Sequence, residues 1–192
     1  MNFNIPNSLT LLRIILIPII VVLFVSNEES NRFFVFLLFL IATITDYLDG
    51  LLARYMKQQT SFGEFLDPVA DKLMVSAVLV LMAADPQMRD QVHSPGLFTI
   101  IVAIIIGREI TVSALREWMA ELGRRGIVAV GGMGKVKTTL QFIAITVLLF
   151  AQAGVQKWAV VFGEALLYAA GTLTLWSMVV YLRGAWPSLS ER

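Results

Sequence analysis

Asp46, Asp49, Asp67 and Asp71 stand in one short segment between two strongly apolar stretches. The full spacing is Asp46-x2-Asp49-Gly50-x2-Ala53-Arg54-x8-Gly63-x3-Asp67-x3-Asp71. Residues three or four apart share a helix face, so Asp46 and Asp49 form one pair, with Gly50 and Ala53 continuing their stripe, and Asp67 and Asp71 form a second. Pro68 is expected in the first turn of a new helix. If the two helices lie antiparallel across the polar loop between them, four hard oxygen donors converge. Such a set suits Mg²⁺ or Mn²⁺ rather than zinc or copper, and the chain has no Cys and a single His. Unpaired, these carboxylates would repel one another, whereas two divalent ions balance a formal charge of about four. Gly50 and Ala53 leave space beside the helix, Gly63 lets backbone approach a ligand, and Arg54 brings a fixed cation suited to phosphate. The expected ligand carries phosphates.

The elements that position these groups are apolar. Of 192 residues, 57% are hydrophobic and 15% charged, against an apolar share of about 45–50% in ordinary soluble domains. One transmembrane domain spanning residues 1–192 is expected. A net charge of +1 and the absence of a basic run with interleaved aromatics argue against nucleic acid. The lack of Cys excludes disulfides. The first residues carry no basic or Arg/Ser-rich lead, so neither a signal peptide nor a transit peptide is apparent and the first apolar stretch stays.

Six apolar stretches read as spanning helices: residues 9–25, interrupted by Arg13 and with Pro18 as a point of kinking; 33–55; 66–84; 96–118; 135–153; and 158–182. Asp46 falls roughly 20 Å along the second helix, recessed within one leaflet of a core about 30 Å thick. Residues 26–32, 85–94 and 121–134 read as turns or loops, and the lone His93 as a solvated loop residue. Arg54, Lys57, Arg116, Arg124, Arg125, Lys135, Lys137, Arg183 and Arg192 collect on one side of the membrane, against Arg32, Arg89 and Lys157 on the other. The positive-inside rule then places the aspartates and both termini in the cytoplasm.

Arg108 lies inside the fourth span and needs a partner there; Glu109 is adjacent in sequence but is expected to point elsewhere on the helix. The segment 131–138, GGMGKVKT, opens the fifth helix, where exposed N–H groups favour an anion. It is not a Walker A loop, because Ala129 and Val136 break that pattern. Its plainer reading is a basic membrane boundary. Arg108, Lys135 and Lys137 together are a candidate site for a second phosphate.

Any one of the four aspartates alone is most simply a solvated charge at a helix end. The whole spacing is not, since a chance match is on the order of 10⁻⁹ per position. It resembles, without departure, the signature of the CDP-alcohol phosphotransferase family, integral-membrane enzymes that displace CMP from a CDP-activated lipid or alcohol with a hydroxyl group. The flanking pieces, PNSLTLLR at residues 6–13, FGEFLDPVADK at 62–72, Arg108-Glu109-Ile110 and GKVKT at 134–138, resemble the family's bacterial phosphatidylglycerophosphate synthases. The likeness runs from about residue 5 to residue 140.

That resemblance implies an all-α fold of six transmembrane helices around a polar cavity open to the cytoplasm, in a homodimer of the bacterial inner membrane. It implies transfer of the phosphatidyl group of CDP-diacylglycerol to glycerol 3-phosphate, giving phosphatidylglycerophosphate and CMP. Asp46, Asp49, Asp67 and Asp71 match the family's ligands for two Mg²⁺ or Mn²⁺ ions, and Asp71 its general base. Thr10, Asp49, Gly50, Ala53, Arg54, Gly63 and Asp67 match the CDP site. A synthase using inositol phosphate is the nearest rival within the family. A membrane prenyltransferase would want a second Asp-rich motif, which the chain lacks. An ion transporter would leave Gly50, Ala53, Arg54 and Gly63 unexplained.

Overall fold

The computed structural model of the chain describes residues 5–26, 28–56, 61–123, 132–154 and 157–190. The described residues form seven helices and no strand: α1 (Ile5–Val25), α2 (Glu29–Met56), α3 (Ser61–Ala84), α4 (Pro86–Gln91), α5 (Pro95–Glu121), α6 (Gly132–Gln152) and α7 (Lys157–Ser190). Six long helices correspond to the six expected stretches, most of them extended by several residues. The loop expected at 85–94 contains α4, because Asp85 caps it by accepting a hydrogen bond from the Met88 amide and Pro86 occupies its first turn. Ser94 and Pro95 start α5 in the same way. Gly123, with φ +70°, ends α5 in a left-handed conformation.

α1 continues as helix through Pro18, and one expectation about a helix start changes. Pro68 lies well inside α3 rather than in its first turn, since α3 begins at Ser61. A proline at that depth removes one intrahelical donor, and the fold carries this cost beside the aspartates.

Three helical segments are long and apolar enough to cross a membrane among the described residues: Ser8–Val25, Pro95–Glu121 and Lys157–Trp186. Only 22, 33 and 28% of these windows is buried inside the protein, and Leu12, Ile15, Val22, Ile100, Ile110, Val161 and Trp176 lie exposed along them. Large apolar side chains facing outward over such lengths mark an integral membrane protein. The apolar part of α6, Val136–Gln152, is shorter.

The helices meet at two ends. α1 packs along both α2 and α3, α6 against α2 and α7, and α5 against α3 and α7. Phe39, Met74, Leu79, Met82, Ile105, Ile145 and Leu148 belong to the buried core that joins them. Small residues set the tightest crossings: a Cβ on Gly163 would come within 2.7 Å of Leu148 on α6, and one on Gly171 within 2.8 Å of Ile101 on α5.

One end is closed by a buried polar clasp. The Asp85 carboxylate accepts hydrogen bonds from Arg32 at 2.8 Å, Gln152 at 2.5 Å and the Met88 amide at 3.0 Å. The Arg32 guanidinium also lies 4.4 Å from the centre of the Phe24 ring. Arg32 was expected among the loop cations; it is buried instead, because α2 begins at Glu29 and carries it into the bundle. The His93 side chain is exposed, as expected, while its backbone N–H donates to Glu164 on α7 at 3.0 Å. The opposite end holds the cavity.

Candidate active site

Asp46 from α2 and Asp67 and Asp71 from α3 line one cavity of about 370 Å³, together with Lys72, Arg108, Glu109, Arg116 and Lys137. Carboxylates from α2 and α3 thus face a mainly basic wall built by α5 and α6. Pro68 and Val75 on α3 and Thr138, Gln141 and Phe142 on α6 complete the lining.

The carboxylate wall is held by α1. Thr10 donates its hydroxyl hydrogen bond to Asp67, and Arg13 is ion-paired with Asp46. Both α1 side chains are buried, Arg13 to 1% exposure. By sequence Arg13 interrupts an apolar span, whereas in the fold it supports a site aspartate. A signal was available: Thr10 and Arg13 are three residues apart, hence on one face of α1, and that face meets both α2 and α3. Thr10, expected at the CDP site, reaches Asp67. Among the described residues α1 is the shared partner of α2 and α3.

Asp49, Gly50, Ala53 and Arg54 lie in the last turns of α2, and their side chains fall outside the described residues. So does the Lys135 side chain, near the start of α6. Gly63 is buried in the first turn of α3.

Among the described residues, no three acidic side chains stand close enough together to cage a metal ion. Asp49, the fourth carboxylate of the spacing, lies outside them; of the other three, Asp46 is paired with Arg13 and Asp67 accepts from Thr10. Asp71 differs: its Oδ1 is buried and has no hydrogen-bond partner. A buried carboxylate oxygen without a donor, in a cavity shared with two further carboxylates, fits a hard divalent cation by its chemistry.

The basic wall corrects a second expectation. Glu109 does not point away from Arg108; its Oε1 accepts from Arg108 Nη1 at 2.5 Å and from Lys137 Nζ at 2.9 Å. Adjacent residues on a helix diverge by about 100° at Cα, but two long side chains bend back to meet where burial makes an unpaired guanidinium costly. Arg108 and Lys137 are 5% and 2% exposed. The Tyr181 ring of α7 lies 5.9 Å from the Arg108 guanidinium and 5.6 Å from that of Arg116. Lys72 donates to Ser113.

Glu109, Arg116, Lys72 and Tyr181 were not singled out as site residues from sequence. Arg116 was legible, since it lies eight residues after Arg108 and so on the same helix face. Nothing local marks Tyr181, which arrives from the last helix.

A sequence model of the CDP-alcohol phosphatidyltransferase family matches residues 3–180, and the chain belongs to that family. The match extends through most of α7, beyond the likeness read from motifs. Over 192 residues, all of this chain and 98% of the relative, it is 50% identical to a Haemophilus influenzae protein named CDP-diacylglycerol–glycerol-3-phosphate 3-phosphatidyltransferase. Proteins of the same name from Escherichia coli K12 and Shigella flexneri serotype 5b are 46% identical over the full length of both chains.

Proposed function

We propose that this chain transfers the phosphatidyl group of CDP-diacylglycerol to glycerol 3-phosphate, releasing phosphatidylglycerophosphate and CMP. The observation that carries the reading is one cavity with aspartates on one wall and buried cations on the other, in a chain half identical over its full length to a relative of that name. Two phosphate-bearing substrates need such a division, one end for a pyrophosphate and the other for a phosphate monoester.

In this reading the acceptor hydroxyl oxygen attacks the phosphorus that bears diacylglycerol. A new P–O bond forms, the bond to the CMP phosphate oxygen breaks, and CMP departs with that electron pair. Asp71 takes the hydroxyl proton, a role supported by its buried, unpartnered Oδ1. Asp46, Asp49, Asp67 and Asp71 would hold two Mg²⁺ or Mn²⁺ ions, which supply charge neutralisation for the pyrophosphate and the departing CMP. Arg13 and Thr10 hold Asp46 and Asp67 in place. Gly50, Ala53 and Gly63 give the nucleotide room, with Thr10, Asp49, Arg54 and Asp67 around it. Arg108, Lys135 and Lys137 bind the acceptor phosphate, holding its hydroxyl in line with the reacting phosphorus.

The same reading has all six long helices cross the bacterial inner membrane, with the cavity facing the cytoplasm and two chains forming a homodimer. Removing the cations that line the cavity or lie buried from the orientation count leaves Arg54, Lys57, Arg124, Arg125, Lys135, Arg183 and Arg192 on the side expected to be cytoplasmic, against Arg89 and Lys157. That asymmetry supports the orientation.

The test is CMP release from CDP-diacylglycerol by membranes containing the protein, given glycerol 3-phosphate, glycerol, inositol phosphate or serine. Release with glycerol 3-phosphate alone is expected. Preferential use of inositol phosphate would transfer the chain to that branch of the family, and no release with any acceptor would sink the assignment.

A further inference from the structure

Glu109 is the single carboxylate on the basic wall of the cavity among the described residues, the other three lining carboxylates coming from α2 and α3. One of its oxygens, Oε1, accepts from both Arg108 and Lys137. Those two cations are almost fully buried, whereas the Glu109 side chain is 21% exposed. Glu109 is therefore the member of the trio with a route to swing aside. Arg108 and Arg116 each keep a buried Nε with no hydrogen-bond partner, and the Tyr181 ring lies against both guanidiniums. The basic wall thus has unused donors and an anchor that does not depend on Glu109.

We propose that Glu109 is a displaceable internal counter-anion of the acceptor-phosphate site. It occupies Arg108 and Lys137 when no acceptor is bound and yields them to the incoming phosphate, so that the acceptor binds by exchange of one anion for another. This rests on the reading of Arg108 and Lys137 as the acceptor-phosphate site. The physical reason is charge balance in a recessed cavity: buried cations without a counter-ion are costly, and stripped of Glu109 they would hold any small inorganic anion that entered. A carboxylate on the same two donors competes with every such anion and keeps binding weak enough to reverse. A phosphate has three oxygens and can also use the free Nε groups, which one carboxylate oxygen cannot reach together.

The proposal makes a prediction opposite in sign to that of a purely supporting role. A residue that orients Arg108 and Lys137 would weaken acceptor binding when altered. A competitor would strengthen it. Glu109→Gln keeps the shape but loses the charge, so the two cations exchange an ion pair for the weaker contact of a charge with a neutral amide dipole. In purified protein, KM for glycerol 3-phosphate and the inhibition constant of inorganic sulfate are expected to fall together by about tenfold. Sulfate is also expected to raise the melting temperature of Glu109→Gln more than that of the wild type at equal concentration, by ligand linkage. Adding Arg108→Ala to Glu109→Gln should abolish that difference.

The melting measurement needs no turnover, so it separates the two readings. If the wild type does not use glycerol 3-phosphate but sulfate still stabilises Glu109→Gln selectively, the acceptor assignment fails and the counter-anion stands. If glycerol 3-phosphate is used but KM and sulfate inhibition stay constant or weaken in Glu109→Gln, the counter-anion is refuted. Glu109→Asp, one methylene shorter and unable to span both cations, serves if Glu109→Gln does not fold, with the same direction expected. Failure of both variants to fold would assign Glu109 to the scaffold and overturn the proposal.

Discussion

Arg13 on α1 is ion-paired with Asp46 on α2, joining a guanidinium at 1% exposure to a site carboxylate that remains one-third exposed. The buried partner fixes the position of the open one, which leaves Asp46 a face toward the cavity. Arg13→Ala should lower thermal stability by about 1–3 kcal/mol, less than a fully buried pair because Asp46 is partly solvated. Turnover should fall by about tenfold or more, since displacement of a site group is costly. Arg13→Lys should recover part of it. Unchanged CMP release in Arg13→Ala would show that Asp46 keeps its place without the pair.

Removal of divalent metal should stop the reaction. Excess chelator is expected to abolish CMP release, and Mg²⁺ or Mn²⁺ to restore it, because the donor set consists of carboxylate oxygens alone. Full activity in chelator would eliminate the two-metal reading.

Asp71 separates chemistry from binding. With its Oδ1 buried and unpartnered, Asp71→Asn should lose about 10²–10⁴ in turnover, the range of a general base. Binding of CDP-diacylglycerol should survive better than in Asp46→Asn or Asp49→Asn. Comparable turnover in Asp71→Asn and wild type would remove the base assignment.

Arg108→Ala tests the acceptor site. Each charge-assisted hydrogen bond is worth roughly 1.5–3 kcal/mol, so KM for glycerol 3-phosphate should rise by about ten- to a hundredfold while KM for CDP-diacylglycerol changes little. Equal effects on both substrates would place Arg108 in general cavity structure.

At the opposite end, Asp85→Ala takes one acceptor from Arg32, Gln152 and the Met88 amide at once. Loss of about 3–5 kcal/mol is expected, read as a lower unfolding temperature in detergent. CMP release well below that temperature should be preserved, because the clasp lies away from the cavity. A wild-type melting temperature would show that the clasp adds nothing to stability.

Much of the site was legible before folding because its signals are local. Helical periodicity put Asp67 with Asp71, which line one cavity, and runs of apolar residues between charged segments placed six long helices close to their observed bounds. The proposed class of ligand rests on residue chemistry, since carboxylates without Cys choose hard cations. Partners across helices were a different matter. Thr10 meets Asp67 across 57 positions and Lys137 meets Glu109 across 28, and no periodicity within one helix encodes which neighbour it will face. Packing of α1 against both α2 and α3 decided that Arg13 would serve Asp46. Packing of α5 against α7 decided that Tyr181 would stand beside two guanidiniums. Glu109 turned toward Arg108 for a tertiary reason as well: inside the bundle a buried cation must find an anion, and that requirement outweighs the divergence of adjacent side chains on an isolated helix.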